Sequence, residues 1–235
     1  MYMISIIIPV YNHQAALERA LASIELQTCT DMEIIVIDDG SLQKLEAGSW
    51  KREISLVRQE NKGAPAARNK GFELSKGEYV IFWDADVVGE PDMLEKMLQA
   101  LEKNPEVSFA YSNFYFGKKK MQGQPFNSST LKQNNYIHST SLIRREAVVQ
   151  WDESLKRFQD WDLWRTMAEQ GKSGIWVDEY LFHVDTGGTM STWLPKCAYK
   201  KPWRWLPGIA GKVRKYEEAR DVVLEKHGLK IDTRI

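Results

Sequence analysis

The sequence predicts an α/β fold in which a mostly parallel central sheet is flanked by helices. Short apolar runs rich in Ile, Val and Phe alternate with segments of helical apolar spacing over the first part of the 235-residue chain. Such runs are typical of strands that are covered on both faces, as in parallel sheets. Strands that alternate with helices favour βαβ connections, which produce a parallel sheet.

The first two predicted strands run from 5 to 10 and from 33 to 37. An amphipathic helix is expected between them. We expect Asn12 to cap that helix, because an asparagine side chain can accept a hydrogen bond from the free N–H groups of a first helical turn. The residues that follow the second strand, 38–41, have the composition of a tight turn.

The next two units continue the alternation. Strands are predicted at 54–57 and 79–83, and a helix is predicted at 63–74, where Lys-Gly ends the pattern. Pro91 lies where the start of another amphipathic helix would tolerate a proline.

The second half of the chain is less regular. Its expected elements are a strand or hairpin at 107–116, a mobile polar loop at 117–135, a helix at 160–169, short strands at 175–177 and 180–182, and a terminal helix at 211–226.

Composition excludes several classes of protein. Lys and Arg total 32, and Asp and Glu total 32, so a uniformly basic nucleic-acid-binding protein is not expected. No apolar run reaches the roughly 18 residues that span a bilayer. Cys29 and Cys197 form no CxxC pair, which argues against a disulfide scaffold or a cysteine-based zinc site. We therefore expect a cytoplasmic protein.

Positive charge is concentrated near the C-terminus. The window 193–216 contains seven Lys or Arg residues and no Asp or Glu, and it also holds three tryptophans and two tyrosines. Aromatic rings beside cations suit a membrane–water interface. One interpretation is a peripheral contact with the inner face of the plasma membrane. The other is a C-terminal helix that packs its tryptophans on the core and exposes its lysines.

Acidic residues follow two of the predicted strands. Asp38 and Asp39 follow the second strand, and Asp84 and Asp86 follow the fourth. Open α/β sheets bind ligands beyond the carboxyl ends of their strands. In an extended segment Asp84 and Asp86 would project to the same side, where two carboxylates need a cation or a shared proton. The pattern indicates either a site for Mg²⁺ or Mn²⁺ or a capped turn before the next helix.

Several segments together resemble family 2 glycosyltransferases, which have the GT-A fold. They occur in the family's order over about residues 4–190, and they are 5–12 (SIIIPVYN), 36–41 (VIDDGS), 61–71 (NKGAPAARNKG), 82–86 (FWDAD), and 151–155 with 159–164 (WDESL, QDWDLW). The resemblance implies a transferase domain at 1–190, with a donor half at 1–103 and an acceptor half at 104–190. A basic, Trp-rich tail follows at 191–235.

The resemblance also implies an inverting transfer of a sugar from a nucleoside diphosphate to a hydroxyl of a saccharide or lipid-linked acceptor, as in cell-envelope polysaccharide biosynthesis. UDP-sugars are favoured by the family pattern. The implied donor-binding residues are Pro9, Tyr11, Asp39, Arg68, Asp84 and Ala85, and the implied ligands of a Mn²⁺ or Mg²⁺ ion are Asp86 and His183.

The family pattern gives some of these residues particular roles. The ring of Tyr11 would stack on the base, Asp39 would accept a hydrogen bond from uracil, and Asp84 would lie near the metal or reach the ribose. From the residues alone, simpler roles stay open: Tyr11 in the core, Asp39 as a turn cap and Arg68 as a charge on a helix surface.

Asp160 matches the family's catalytic base, which removes the proton of the acceptor hydroxyl. Its simpler role is the N-cap of a helix. The chain departs from the pattern at Gln159, where many relatives have Glu, and at Val87, where they often have Asp. The departure beside the base leaves Asp162 as a second candidate.

Two other functions stay open at this point. A nucleotidyltransferase would also join strand-end carboxylates to a nucleotide and a metal, although the first strand lacks a phosphate loop rich in Gly and Lys. A non-catalytic, membrane-associated scaffold would bind a nucleotide sugar without transferring it.

Overall fold

A computed structural model of the chain describes residues 4–46, 52–185 and 208–229, together with Trp203 and Leu206. The strands within these residues are β1 (Ile4–Val10), β2 (Met32–Asp38), β3 (Ile54–Arg58), β4 (Tyr79–Phe82), β5 (Val87–Gly89), β6 (Phe109–Phe116), β7 (Lys119–Met121), β8 (Leu142–Arg144) and β9 (Gly174–Val184). They form one sheet in the order β3-β2-β1-β4-β8-β6-β9-β5, with β7 paired to β6.

Helices cover both faces of this sheet. Those in the described ranges are α1 (Gln14–Glu25), α2 (Ala64–Leu74), α3 (Met93–Lys103), α4 (Ser128–Gln133), α5 (Gln159–Glu169) and α6 (Ala210–Lys226), with a short 3₁₀ turn at Arg145–Ala147. Apolar side chains of α1 and α3 pack on one face of the sheet, and those of α5 and α6 contribute to the core on the other. The fold is therefore the predicted α/β arrangement of helices around a central sheet.

The first four strands along the chain are parallel, as the sequence predicts. β1 pairs in parallel with both β2 and β4, and β2 pairs in parallel with β3. Every residue of β1 is buried, because helices cover both of its faces. Gly71 lets α2 lie close to this strand, since a Cβ there would come within 2.3 Å of the Ile7 side chain. The carboxyl ends of β1, β2 and β4 meet at one edge of the sheet.

The structure differs from the expectation in three places, most of them in the second half. The segment predicted as a loop contains β7 and α4, and the two strands predicted near 175–182 are one strand, β9. That strand pairs with β6 through shifts of register at Ser112, Asn113 and Phe114, which explains why its pattern looked interrupted. β5 and β8 were not predicted, because a three-residue strand carries almost no periodic signal.

The described part of the C-terminal segment packs against the rest of the molecule. Val213, Val223 and Leu224 of α6 are buried, and the ring of Tyr216 meets that of Phe158 edge-on. Most of the window 193–216 lies outside the described residues, so its membrane contact stays a prediction. Among the described residues, no helix combines the length and apolar character needed to cross a bilayer.

Candidate active site

The residue after β2 places a carboxylate with several hydrogen bonds at the edge of the sheet. Asp39 is buried, and it accepts hydrogen bonds from the backbone N–H groups of Lys62 and Gly63 and from the Gln59 side chain at 2.8–2.9 Å. A carboxylate has about four acceptor positions, so roughly one remains for a ligand. Asp39 does not cap its own turn, because its partners lie in the segment 59–63 and the N–H of Ser41 donates to Asp38 instead. The remaining acceptor position of Asp39 leaves room for a donor contact.

The loop after β1 exposes an aromatic ring beside this carboxylate's strand. Tyr11 is 42% exposed, so the core alternative for this residue is wrong. Pro9 lies within β1 and is buried. Asn12 does not cap α1: its backbone has φ = 57°, and its side chain instead accepts a hydrogen bond from the N–H of Leu42. That bond ties the loop after β1 to the loop after β2.

The carboxylates after β4 lie on a turn. The N–H of Val87 donates to the carbonyl of Asp84 at 2.9 Å, so the segment 84–86 is not extended and the expected same-side projection has no basis. Ala85, between the two aspartates, packs against the core on the α1 and α3 face. Asp84 is nevertheless close enough to Asp86 that its negative charge helps to raise the pKa of Asp86.

Arg68 connects three parts of the site. Its guanidinium donates to Asp84 at 2.6 Å and to the side-chain oxygen of Gln159 at 3.2 Å, and it lies over the ring of Trp151 at 4.3 Å. Arg68 is only 4% exposed, so its interpretation as a surface charge is wrong. Gln159 gives this arginine a neutral acceptor, at the position where the family pattern often has glutamate.

The environment of Asp84 favours its ionised form. Burial opposes ionisation, but the charges of Arg68 and His138 and the hydrogen bonds from Ser139 and Arg68 outweigh it and lower the pKa of Asp84. Each of its two oxygens accepts one hydrogen bond at 2.6 Å, one from Arg68 and one from the hydroxyl of Ser139. Asp84 is therefore a fixed anion.

The environment of Asp86, in contrast to that of Asp84, disfavours the ionised form. Burial and the negative charge of Asp84, with a smaller contribution from Asp185, raise the pKa of Asp86 to about 7. A cation at this carboxylate would relieve both effects, and a carboxylate oxygen is the ligand type that Mg²⁺ and Mn²⁺ prefer. Within the described residues no three His, Cys, Asp or Glu side chains cluster to hold a metal. Asp86 alone fits a cation that also binds a substrate's phosphates, because Mg²⁺ is usually held by one or two carboxylates together with substrate phosphates.

His183 lies on β9, opposite Val88 of β5. Its Nε2 is 3.2 Å from a carboxylate oxygen of Glu90, and its ring stacks on Tyr115 with 4.5 Å between ring centres. Two residues later the N–H of Asp185 donates to the carbonyl of Asp86. His183 is thus near the turn, and its role as a metal ligand stays a prediction.

Asp160 lies in the first turn of α5, which begins at Gln159. It is not the N-cap, since that position is Phe158, in the left-handed conformation with φ = 57°. One carboxylate oxygen accepts from the Asn135 side chain at 2.7 Å and the other from the N–H of Trp161 at 2.9 Å. Burial raises the pKa of Asp160, although His138, the Trp161 bond and Arg68 counteract it. A carboxylate with a raised pKa is a better proton acceptor than an ordinary aspartate.

Asp162, the second candidate base, is used elsewhere. It is buried, and its carboxylate contacts Lys226 and His227 at the end of α6, each at 2.9 Å. A base must reach the substrate, whereas this carboxylate is covered by α6. The geometry therefore favours Asp160.

Three further residues of the site were not predicted from the sequence. Asn135 holds Asp160, Ser139 holds Asp84, and His138 lies between them in the chain. All three fall in or beside the segment that was predicted to be a mobile loop. No local motif marks them, because their partners are 25 and 55 residues distant in the sequence.

The chain matches a family model and several known proteins. A family model described as "Glycosyl transferase family 2" matches residues 5–151. An uncharacterized glycosyltransferase of Methanocaldococcus jannaschii is 27% identical over 201 residues, which are 76% of this chain and 69% of that protein. A cholesterol galactosyltransferase of Borreliella burgdorferi is 31% identical over 177 residues, which are 63% of this chain and 49% of that protein. An uncharacterized glycosyltransferase of Haemophilus influenzae is 38% identical over 111 residues, 46% of this chain but only 38% of its own length.

Solved structures show the same fold. S. aureus TarS 1-349 in complex with UDP-GlcNAc has a TM-score of 0.63 at 19% identity, covering 83% of this chain and 62% of that chain. The mannosyltransferase PcManGT from Pyrobaculum calidifontis, in complex with GDP-Man and Mn²⁺, has a TM-score of 0.60 at 18% identity, covering 80% and 58%. At such identities the likeness concerns the fold alone.

Proposed function

Because the chain belongs to glycosyl transferase family 2 and has the GT-A fold, we propose that this glycosyltransferase moves a sugar from a nucleoside diphosphate to an acceptor hydroxyl with inversion at the sugar carbon. The observation that carries the proposal is the bridge made by Arg68. One buried guanidinium joins Asp84 after β4 to Gln159, the residue beside Asp160. It thereby fixes the expected donor side and the expected base at one edge of the sheet.

The donor's nucleotide fits the ends of β1 and β2. The exposed ring of Tyr11 offers a flat surface for a base, and Asp39 has about one acceptor position left for an N–H of that base. We favour uridine, because a UDP-GlcNAc complex is among the solved structures of similar fold, and a GDP-mannose complex makes guanosine the alternative. Asp84, which is bound by Arg68 and Ser139, would accept a hydrogen bond from the ribose.

The diphosphate belongs at Asp86. A divalent cation bound there, Mn²⁺ or Mg²⁺, would stabilise the charge that develops on the departing nucleoside diphosphate. The PcManGT structure contains Mn²⁺, and the raised pKa of Asp86 marks a carboxylate that lacks enough positive charge. His183, near the same turn, is the further candidate ligand.

Asp160 would take the proton of the acceptor hydroxyl as that oxygen attacks the sugar carbon. Single-step inversion requires the base on the side of the sugar opposite the leaving group. The hydrogen bonds from Asn135 and Trp161 fix the orientation of the carboxylate. They leave lone pairs on both oxygens for the incoming proton.

The acceptor is a hydroxyl of a saccharide or of a lipid-linked molecule. The family pattern supports this acceptor, and one relative is named a cholesterol galactosyltransferase. With the chain placed in a glycosyltransferase family, neither a nucleotidyltransferase nor a non-catalytic scaffold has an observation in its favour.

A thermal-shift panel tests the donor site. UDP-, GDP-, TDP- and CDP-sugars are added to the protein with and without Mn²⁺. At about 100 times its Kd, a ligand stabilises the folded state by about 2.7 kcal/mol. We expect one nucleotide class to raise the Tm, and to do so more strongly with Mn²⁺.

Variants locate that effect. Asp86→Asn should remove the Mn²⁺ dependence, whereas Asp92→Asn, which alters an exposed carboxylate paired with Lys96, should not. The released product should be a nucleoside diphosphate and not pyrophosphate. If no nucleotide sugar changes the Tm and none is turned over with a panel of acceptors, the proposed function is wrong.

A further inference from the structure

One short segment holds both ends of the site. Asn135 donates to Asp160 at 2.7 Å, and Ser139, four residues later, donates to Asp84 at 2.6 Å. Asp84 belongs to the expected donor side, and Asp160 is the expected base. The backbone from 135 to 139 therefore bridges the space in which the reacting sugar would lie, and His138 is part of that bridge.

The His138 ring is held in one orientation. Its Nδ1 accepts a hydrogen bond from the N–H of Thr140 at 3.1 Å, and the ring packs against Phe114 and Phe182, with 4.9 and 5.2 Å between ring centres. An acceptor at Nδ1 carries no proton, so in the neutral ring the proton is on Nε2. Burial lowers the pKa of His138, although Asp84 and Asp160 oppose that effect. At neutral pH the ring thus offers one N–H donor.

Part of His138 also stays accessible in this segment. His138 is half-buried, so it retains contact with solvent, whereas the residues on either side of it, Ile137 and Ser139, are buried. It interacts electrostatically with both Asp84 and Asp160. A group that senses both carboxylates lies near the space between them.

We propose that the Nε2–H of His138 donates a hydrogen bond to a hydroxyl of the sugar that is transferred, and that this bond selects among donor sugars. The inference rests on the proposed function, because the sugar is assigned to the space between Asp84 and Asp160. A neutral N–H suits a hydroxyl oxygen. A site that binds a hydroxyl through a buried polar group also rejects a sugar without it, since the donor is then left unpaired.

Three substitutions separate this role from packing. His138→Phe keeps a ring between Phe114 and Phe182 but has no donor. His138→Gln carries an amide N–H₂ near the position of Nε2, and His138→Asn carries its amide only near Nδ1. We expect kcat/KM for the donor to fall about 100-fold in the Phe and Asn variants. The Gln variant should lie within about tenfold of the wild type, and the acceptor KM should be unchanged.

Donor analogues that lack one sugar hydroxyl identify the contact. In the wild type, removing the contacted hydroxyl should lower kcat/KM by about the same factor as His138→Phe, whereas in His138→Phe it should cost almost nothing more. Equal losses in both proteins for every deoxy donor would overturn the inference. The inference would also be overturned if the effect of His138→Phe depended on a hydroxyl of the acceptor and not on a hydroxyl of the donor sugar. If His138→Phe does not fold, the Gln and Asn variants give the same comparison.

The two proposals fail in different ways. If the wild-type protein transfers sugar from no nucleotide donor, the proposed function is wrong. If the wild type transfers sugar and Asp160→Asn does not, but all three His138 variants match the wild type, only the role of His138 is wrong.

Discussion

The two halves of the molecule hold their site residues in different ways. In residues 4–103, within the predicted donor half, Asp38 ends β2 and Asp39 follows it, and backbone N–H groups of nearby loops bind both carboxylates. In residues 104–185 with α6, the proposed base Asp160 is oriented by a side chain 25 residues away, and its helix is bound by the end of α6. Backbone N–H groups therefore hold the carboxylates at the end of β2, whereas side chains of other elements hold Asp160 and its helix. Changes in the first half should therefore alter donor binding, and changes in the second should alter turnover.

The largest expected effect contrasts two carboxylates of the same helix. Asp160→Asn should lower kcat by about 10³-fold, since general base catalysis contributes 10²–10⁴, and donor binding should persist. Because burial raises the pKa of Asp160, the ionised carboxylate costs stability at neutral pH, so the variant's Tm should not fall. Asp162→Asn should lower the Tm through the loss of its contacts with α6 and keep kcat within a few-fold. Steady-state kinetics and thermal unfolding measure both. If Asp162→Asn lowered kcat strongly and Asp160→Asn did not, Asp162 would be the base instead.

The next effect concerns the bridge between the halves. Arg68→Met leaves Asp84 without its main counter-charge, and removing one partner of a buried pair costs about 3 kcal/mol or more. Urea unfolding should show that loss, together with weaker donor binding. Lys70→Met, on the same helix, breaks an exposed pair with Glu73 and should cost less than about 1 kcal/mol. Similar costs for the two variants would mean that the Arg68 bridge does not hold the halves together.

A smaller effect appears in the pH profile. The base is active when ionised, so kcat/KM should be full above the raised pKa of Asp160 and fall as the pH drops through it. His138, Arg68 and Asp84 face this carboxylate and set its pKa with burial. Asn135→Leu removes a hydrogen bond to the charged form, which raises the pKa further. The acid limb should move to higher pH and kcat at neutral pH should fall about tenfold. An unchanged acid limb would mean that a different group is titrating.

The smallest effect lies at the end of α6. Lys226 binds Asp152 and Asp162. Together with hydrogen bonds from Ser154, it lowers the pKa of Asp152 to about 2 from 3.8. That contribution to stability is fully present above about pH 4 and is lost as the pH falls through about 2. Lys226→Met should cost about 1–2 kcal/mol at pH 7. At pH 3 the free energies of unfolding of the variant and the wild type should differ by less than at pH 7. Denaturant unfolding at the two pH values measures this. A difference that does not depend on pH would indicate lost packing instead.

The same contrast separates what the sequence could predict from what it could not. β1, β2 and β4 have continuous apolar runs, and the acidic residues at their ends are local features, so the donor edge follows from pattern alone. The Asn12 cap was wrong because its side chain binds Leu42 across the sheet edge. Asn135, His138 and Ser139 carry no periodic or motif signal. Only the folded chain brings Ser139 to Asp84, 55 residues earlier in the sequence.

The most direct test is a crystal structure of the protein with Mn²⁺ and a nucleoside diphosphate sugar, using Asp160→Asn to prevent turnover. The account predicts the metal bound by a side-chain oxygen of Asp86 at roughly 2.0–2.2 Å and by the diphosphate. It predicts the nucleobase of the donor beside Tyr11 and Asp39, and the sugar of the donor between residues 84 and 160. A nucleotide bound away from the ends of β1, β2 and β4, or a metal that does not touch Asp86, would contradict the account.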